Sequence, residues 1–131
     1  MIFELSQTFF FDAAHTLDRV IDGEASRRIH GHTYHAEITV TGNPDTKTGM
    51  ILDLGLLKEK VEKLRLSLDH QFLDELLLLG PATLENLCKY IWQELRNDFV
   101  PVISVKVGRQ ASGDACRLTA DEFDRRATQC A

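Results

Sequence analysis

The chain has 131 residues, a length that suits a single domain with its own hydrophobic core. Its 15 lysines and arginines stand against 20 aspartates and glutamates, and the net charge of −5 argues against a nucleic-acid or anionic-membrane partner. The apolar runs are far shorter than the ~20 residues that span a bilayer, and the N-terminus lacks the basic start of a signal peptide, so transmembrane and secreted classes are not expected.

The cysteines indicate the compartment. Cys88, Cys116 and Cys130 form no C-x-x-C pair, and an odd number of cysteines is typical of a reducing cytoplasm. We therefore expect a cytoplasmic protein without a disulfide framework. None of the three cysteines is expected to be catalytic.

Two strands are predicted near the N-terminus. Residues 2–14 place apolar side chains at odd positions, and residues 32–41 place them at even positions. This period of two is typical of half-buried strands. Turn residues follow at 42–45, and a short apolar piece at 50–52 is a candidate extension of the sheet.

Two amphipathic helices and two further strands are predicted next. Asp53 is a candidate N-cap for a helix over about 54–67, with Leu54 at the start of its apolar stripe, and Thr83 caps a second helix. Ile103 begins a third strand that alternates to residue 107, and residues 115–119 indicate a fourth.

This order predicts an α+β fold in one domain over residues 1–131. Its four-stranded antiparallel sheet would have both helices on one face. The tail over 120–131 is charged, and we expect a short helix or disorder there.

Three of the five histidines fit a metal site. His30 and His32 flank Gly31 at the start of the second strand, where residues two apart point to one face. His15 ends the first strand in phase with its apolar face, so neighbouring strands would bring the three imidazoles together. Three neutral imidazoles and an open fourth position are the ligand set of a catalytic zinc. On spacing alone, a chance H-x-H on a surface strand stays open, and His35 has the parity of a surface residue.

Asp69 and His70 follow the first predicted helix directly. A carboxylate that orients an imidazole makes a general base. Adjacent residues can pair in this way only where the backbone turns sharply. The alternative is a histidine near a helix C-terminus, favoured by the helix dipole.

Several short motifs occur in series along the chain. They are F-D-A-A-H at 11–15, I-H-G-H-T-Y at 29–34, L-D-H at 68–70, P-A-T-L-E-N-L at 81–87 and Y-I-W at 90–92. Together they resemble the 6-pyruvoyl-tetrahydropterin synthase / 6-carboxytetrahydropterin synthase family over about residues 2–107. The resemblance implies the tunnelling fold, a ββααββ unit that joins edge to edge into a barrel. It also implies a homo-oligomer, usually a hexamer of two trimers, with active sites between subunits.

The resemblance assigns roles to five residues. His15, His30 and His32 would bind Zn²⁺, which in the family polarises the side-chain oxygens of dihydroneopterin triphosphate. Asp69 and His70 would be the acid–base pair. The resemblance thus implies a small-molecule substrate.

Two family positions are changed in this chain. Ser26 stands four residues before His30, where the family has a proton-transferring cysteine, and a hydroxyl is far less acidic than a thiol. Arg109 stands at the position of the glutamate that clamps the pterin. A guanidinium accepts no hydrogen bonds and suits a carboxylate or phosphate, although a salt bridge to Asp114 is the alternative.

Other side chains could take over pterin binding. Glu85 is a candidate replacement acid, or else the charge that favours a helix N-terminus. Thr83 joins Glu85 and Arg109 as a candidate substrate-binding residue, and Ser26 stays a catalytic candidate.

The sequence therefore predicts a zinc-dependent lyase or aldol-type enzyme with a diverted substrate. That substrate would be an anionic aldehyde or sugar phosphate, used in a condensation such as an imine-forming ring closure. One alternative is a genuine pterin synthase acting on dihydroneopterin triphosphate. The other is a catalytically inactive, metal-binding subunit.

Overall fold

A computed structural model describes residues 1–121, and the prediction for the tail over 122–131 lies outside them. The elements in chain order are β1 (Phe3–His15), α1 (Gly23–Arg27), β2 (His30–Gly42), α2 (Leu54–Leu68), β3 (Gln71–Phe72), α3 (Leu84–Asn97), β4 (Val102–Arg109) and β5 (Asp114–Thr119). A single turn of 3₁₀ helix, Leu73–Glu75, follows β3. None of the helices in the described part has both the length and the apolar character needed to cross a bilayer.

The strands form one sheet in the order β3-β1-β2-β4-β5. The four long strands pair antiparallel, as predicted. The predicted strand number is wrong, because the two-residue β3 pairs parallel with β1 through Ala13↔Gln71 and Ala14↔Phe72. A strand of two residues shows no periodicity, and the same shortness hides the five-residue α1 from the sequence.

The core lies between one face of the sheet and helices α2 and α3. Odd residues of β1 and even residues of β2 meet apolar residues of both helices in one buried cluster. Burial of each such side chain contributes about 1.5–3 kcal/mol before entropy is counted. The stripe on α2 is buried at Leu57, Val61, Leu64 and Leu68. The predicted first member, Leu54, is instead 48% exposed, because it lies in the first turn at the end of the helix.

A register shift in the sheet changes which apolar residue of β4 meets the core. The β2–β4 pairing slips between Thr39 and Val40, so Val40 pairs with Val102. Val102 therefore belongs to the main core cluster, which does not include Ile103, the predicted first residue of this strand. Beyond the shift, Val105 and Val107 face the core as predicted.

Both predicted helix caps are present. The side chain of Asp53 accepts from the backbone N–H of Gly55 at 2.7 Å, and that of Thr83 accepts from Asn86 at 3.2 Å. The apolar piece at 50–52 is not a strand but part of the bend before α2, so the prediction that it extends the sheet is wrong. Apolar character alone does not supply the partner edge that a strand needs.

Candidate metal centre

The β1–β2 register brings three histidines together at one end of the sheet. His15 pairs with His30, and Ala13 pairs with His32, so all three imidazoles point to the same face. The Nε2 atom of His15 is 2.9 Å from Nε2 of His30 and 3.1 Å from Nε2 of His32. One ring nitrogen from each residue lies within 4.8 Å of the other two. The predicted convergence of these rings is therefore present.

Backbone carbonyls fix which nitrogens carry protons. Nδ1 of His15 donates to the carbonyl oxygen of Ala82 at 2.8 Å, and Nδ1 of His30 donates to that of Arg28 at 2.7 Å. A carbonyl only accepts, so in the neutral rings both protons sit on Nδ1 and both Nε2 atoms present lone pairs. With both protons on Nδ1, neither Nε2 atom can donate a hydrogen bond to the other.

This donor set fits a zinc ion. Ligands arranged tetrahedrally at ~2.0–2.1 Å from zinc lie about 3.3 Å apart, close to the 2.9 and 3.1 Å from Nε2 of His15 to Nε2 of His30 and of His32. In His15 and His30, the ring nitrogen that would not bind the ion donates to a backbone carbonyl. Imidazoles that bind metals usually make such a hydrogen bond with their second nitrogen. Three imidazoles would leave a fourth coordination position of such an ion open to a reactant.

The surroundings of His15 and His32 favour the neutral forms of these two imidazoles. Burial is the main cause that lowers the pKa of His15, and it lowers the pKa of His32 to about 4 with help from the Arg109 cation. Tyr34 lies beside these rings, with its hydroxyl 3.5 Å from Nδ1 of His15. Burial raises the pKa of Tyr34 to about 12, so this hydroxyl stays protonated.

Arg109 faces the histidine cluster. It pairs with Tyr34 across β2 and β4, and its Nη1 atom lies 3.4 Å from Nε2 of His32. Its Nη2 atom also lies 3.2 Å from the Asp114 carboxylate. The Nε atom is buried and has no hydrogen-bond partner among residues 1–121. The salt bridge and the inward orientation, considered as alternatives from the sequence, thus occur together.

Asp69 and His70 form the predicted hydrogen-bonded pair. His70 has φ +57°, which supplies the sharp turn after α2, and its Nδ1 atom lies 2.8 Å from Oδ2 of Asp69. The other carboxylate oxygen accepts from the backbone N–H of Asp12 at 2.9 Å, and this bond is the main cause that lowers the pKa of Asp69. Arg65 adds an ion pair at 3.1 Å. Since Nδ1 donates to Asp69, Nε2 of His70 is left as an acceptor.

His70 and His32 line one open cavity of about 610 Å³, together with Asp12, Thr33 and Gln71. The side chain of His70 is 79% exposed. His70 and one member of the histidine cluster, His32, therefore open onto shared space within one chain.

Ser26 lies on the other side of the histidine cluster. It lines a cavity of about 440 Å³ with His30, His32 and Arg109. The residue is 5% exposed, and its hydroxyl accepts from the backbone N–H of Arg19 and donates to the carbonyl oxygen of Gly23, 2.8 Å away. These bonds make Ser26 part of the framework of its loop.

The remaining candidates lie outside the cavities that His32 lines. Thr83 uses its hydroxyl to cap α3, and Glu85 is exposed in the first turn of that helix. His35 lies on the opposite face, half-buried, with its ring 6.4 Å from that of Phe10. It is therefore outside the metal cluster as predicted, although it is less exposed than a surface residue.

Sequence reasoning missed groups that hold the cluster in place. The carbonyls of Arg28 and Ala82 could not be predicted from the sequence, because every residue has a backbone carbonyl and no side-chain pattern marks these two. Asp74 accepts from the backbone N–H of Thr16 at 2.9 Å and fixes the chain just after His15. Tyr34 had a usable signal, since its even position in β2 places it on the same face as His32.

Comparisons with known proteins agree with this geometry. A sequence model of the family described as 6-pyruvoyl tetrahydropterin synthase matches residues 4–120. A Haemophilus influenzae protein named 6-carboxy-5,6,7,8-tetrahydropterin synthase is 37% identical over 128 residues, which cover 95% of this chain and 78% of that protein. A Drosophila melanogaster 6-pyruvoyl tetrahydrobiopterin synthase is 46% identical over 71 residues, or 51% of this chain. The matched region is 42% of the Drosophila protein, so the chain spans under half of that relative.

A solved structure shows the same fold. The Caenorhabditis elegans 6-pyruvoyl tetrahydropterin synthase superposes with a TM-score of 0.77 at 22% identity. The superposition covers 92% of this chain and 97% of the other. The fold of this chain is therefore similar to the tunnelling fold.

Proposed function

We propose, since the chain belongs to the 6-pyruvoyl tetrahydropterin synthase family, that it is a zinc-dependent, lyase-type enzyme acting on a small anionic substrate. His15, His30 and His32 would hold the ion. Asp69 and His70 would move the proton. Arg109 would bind a carboxylate or phosphate of the substrate.

The observation on which this proposal rests is that the Nε2 lone pairs of two imidazoles, those of His15 and His30, face each other at close range. Nε2 of His15 and Nε2 of His30 are 2.9 Å apart, and both Nδ1 protons are held by carbonyls. Two such lone pairs repel unless a cation lies between them. A bound zinc ion would supply a Lewis acid that polarises a carbonyl or adjacent hydroxyls of the substrate.

The acid–base role of His70 follows from its hydrogen bonds. Asp69 holds the Nδ1 proton, so Nε2 of His70 can accept a substrate proton and later return it. The Asp69 carboxylate would stabilise the imidazolium that forms. Because both carboxylate oxygens of Asp69 are already bonded, its orientation is fixed before substrate arrives.

The anionic substrate is favoured by Arg109. Its guanidinium faces the histidine cluster, and its buried Nε atom still has a proton to donate. A planar guanidinium binds carboxylate or phosphate through two parallel hydrogen bonds. The site therefore requires an anionic group that Arg109 can bind and a carbonyl or hydroxyl oxygen that the ion can polarise. An anionic aldehyde or sugar phosphate has both, and it would be used in an aldol, lyase or imine-forming condensation.

A second candidate is a pterin synthase reaction on dihydroneopterin triphosphate. It is favoured by the Haemophilus relative, which is named 6-carboxy-5,6,7,8-tetrahydropterin synthase and matches 95% of this chain. Glu85 or Thr83 would then have to bind the pterin in place of Arg109. Ser26 would replace the family's cysteine as a catalytic group.

We also propose that the chain assembles as a homo-oligomer, with a hexamer of two trimers as the expected form. The outer strand β5 offers an edge for pairing between subunits. Light scattering coupled to gel filtration tests this assembly, and a strictly monomeric protein would contradict it.

The test of substrate class compares two panels with the zinc-loaded protein. Turnover of anionic aldehydes with an amine, and none of dihydroneopterin triphosphate, supports the diverted substrate. Efficient formation of a 6-carboxy or 6-pyruvoyl product overturns it in favour of the second candidate. An intact zinc site with no turnover in either panel indicates an inactive binding subunit and contradicts the enzyme.

Two single variants with the same charge reversal, one at Arg109 and one at a control position, make this test more specific. Arg109→Glu should raise affinity for the pterin triphosphate, because a carboxylate can accept from the amino and N–H edge of a pterin. Arg117→Glu makes the same charge change at an exposed position of β5 and should leave affinity unchanged. Equal affinities in the two variants would remove Arg109 from the substrate site.

A further inference from the structure

We infer that the metal centre binds its cation and an oxyanion as a coupled pair, and that Arg109 is the residue that couples them. This inference rests on the proposed metal site. It concerns how strongly that site holds a divalent ion alone, and what a second ligand does to that affinity.

The first step is the position of the Arg109 charge. Its Nη1 atom is 3.4 Å from Nε2 of His32, one of the three nitrogens that would ligate the ion. Because a Zn–N bond is ~2.1 Å, the ion and Nη1 could be no more than about 5.5 Å apart. Repulsion between a unit charge and a divalent ion at that distance costs about tenfold in affinity even in a water-like dielectric.

The second step is that the proposed ligands themselves do not oppose this repulsion. The three imidazoles bring no negative charge to the centre. Asp114 pairs with Arg109 at 3.2 Å, but its side chain is 54% exposed and also accepts from the Ser112 hydroxyl at 2.9 Å. The single negative charge of this partly solvated carboxylate is already paired with the guanidinium. It therefore cannot also offset the charge of a divalent ion.

The third step is the unused hydrogen-bonding capacity of Arg109. Its Nε atom is buried without a hydrogen-bond partner among the described residues, and such a group carries a desolvation cost. An oxyanion placed between the guanidinium and the fourth coordination position would accept from Arg109 and neutralise part of the excess charge. The cavity lined by Ser26, His30 and Arg109 has about 440 Å³ for such a ligand.

Coupling then follows from linkage. If the anion relieves the repulsion between Arg109 and the ion, the anion raises metal affinity, and the metal raises anion affinity by the same factor. The ligand chemistry is a carboxylate or phosphate oxyanion, since both match the guanidinium fork.

The experiment titrates the metal-free protein with Co²⁺ and follows visible absorption, which reports coordination of the ion. Titrations are run without additive and with acetate, methyl phosphate or neutral acetamide. The variants are Arg109→Gln, which removes the charge, and Arg109→Lys, which keeps the charge without the fork. Arg117→Gln is the matched control on the outer side of β5.

In the wild type we expect acetate or methyl phosphate to raise Co²⁺ affinity at least fivefold, and acetamide to have no effect. Arg109→Gln should bind Co²⁺ alone about tenfold tighter than the wild type, with an anion effect under twofold. Arg109→Lys should keep the weak metal affinity and lose part of the anion effect. Arg117→Gln should behave as the wild type. A response to acetate alone identifies a carboxylate ligand, and a response to methyl phosphate alone identifies a phosphate.

The outcomes separate the inference from the proposed function. If the wild type and Arg109→Gln bind Co²⁺ equally and respond equally to anions, the inference is overturned and the metal centre stands. If the wild type binds no Co²⁺, the proposed function itself is overturned. Should Arg109→Gln fail to fold by circular dichroism, the anion response of the wild type and Arg109→Lys decides, and no response in the wild type overturns the inference.

Discussion

His15 and His30 lie opposite each other on β1 and β2, and their Nε2 atoms approach to 2.9 Å. Nδ1 of His15 donates to the carbonyl of Ala82, just before α3, and Nδ1 of His30 donates to the carbonyl of Arg28, just after α1. The centre is thus organised by three separate parts of the chain. Backbone groups of the chain itself thus hold the rings of His15 and His30, which would reduce the entropic cost of binding an ion there.

Removing a ligand should empty the centre. His32→Ala leaves two imidazoles, and we expect zinc content to fall from about one ion per chain to a small fraction of that. Mass spectrometry of metals in the purified protein measures this. His35→Ala is the matched control, because its ring lies on the other face of β2 against Phe10. Full zinc content in His32→Ala would contradict the assignment of ligands.

Removing the proposed base should stop the chemistry and spare the metal. His70→Ala deletes the Nε2 acceptor in the cavity shared with His32, and we expect kcat to fall by about 10²–10⁴. Zinc content should stay as in the wild type, because His70 is not among the three clustered ligands. Steady-state kinetics with the substrate that the panels identify measure kcat for His70→Ala. His35→Ala is measured in the same way as the control. Unchanged kcat would exclude the proton-transfer role.

Periodicity predicted the parts of the site that regular strands determine. The parity of His15 and of His32 places both rings on the core face, and an antiparallel pair of neighbouring strands then brings them together. The caps at Asp53 and Thr83 were predictable for a similar reason, since a short polar side chain before an apolar stripe has a local role.

Tertiary contacts supplied what the sequence could not. The positive φ of His70 is stabilised by its backbone N–H, which donates to the carbonyl of Asp12 at 2.6 Å, a residue 58 positions earlier. The same contact creates β3, which is too short to have a pattern of its own. The position of Arg109 beside both His32 and Asp114 likewise depends on the β2–β4 register, and parity alone left those alternatives open.

The metal-free protein should lose stability as the pH falls from about 6.5 towards 4. In the unfolded chain His32 has a pKa near 6.5, whereas in the folded chain it is about 4, so the unfolded state binds the proton first. The contribution of His32 to the free energy of unfolding therefore decreases through this window and is constant below it. We expect this residue to account for about 1 kcal/mol, since solvent screens a partly exposed ring.

Urea unfolding at closely spaced pH values measures this effect. His32→Gln should flatten the curve between pH 6.5 and 4, and His35→Gln should leave it as steep as in the wild type. A slope of opposite sign, with stability rising as the pH falls, would contradict the lowered pKa of His32.

The cap of α3 should serve both the helix and the metal. Thr83 accepts from the backbone N–H of Asn86, and the preceding carbonyl of Ala82 holds the Nδ1 proton of His15. Thr83→Ala should lower the free energy of unfolding by about 1 kcal/mol. It should also weaken zinc binding, because a less ordered start of α3 would position the Ala82 carbonyl, and with it the ring of His15, less firmly.

Two comparisons separate these effects. Asp53→Ala removes the matching cap of α2, whose side chain accepts from Gly55, and should cost similar stability without changing zinc affinity. Thr83→Ser keeps the capping hydroxyl and should preserve both quantities. Chemical denaturation and zinc competition titrations provide the two readouts. If Thr83→Ala and Asp53→Ala bind zinc equally well, the cap of α3 acts on the helix alone, and the orientation of His15 does not depend on it.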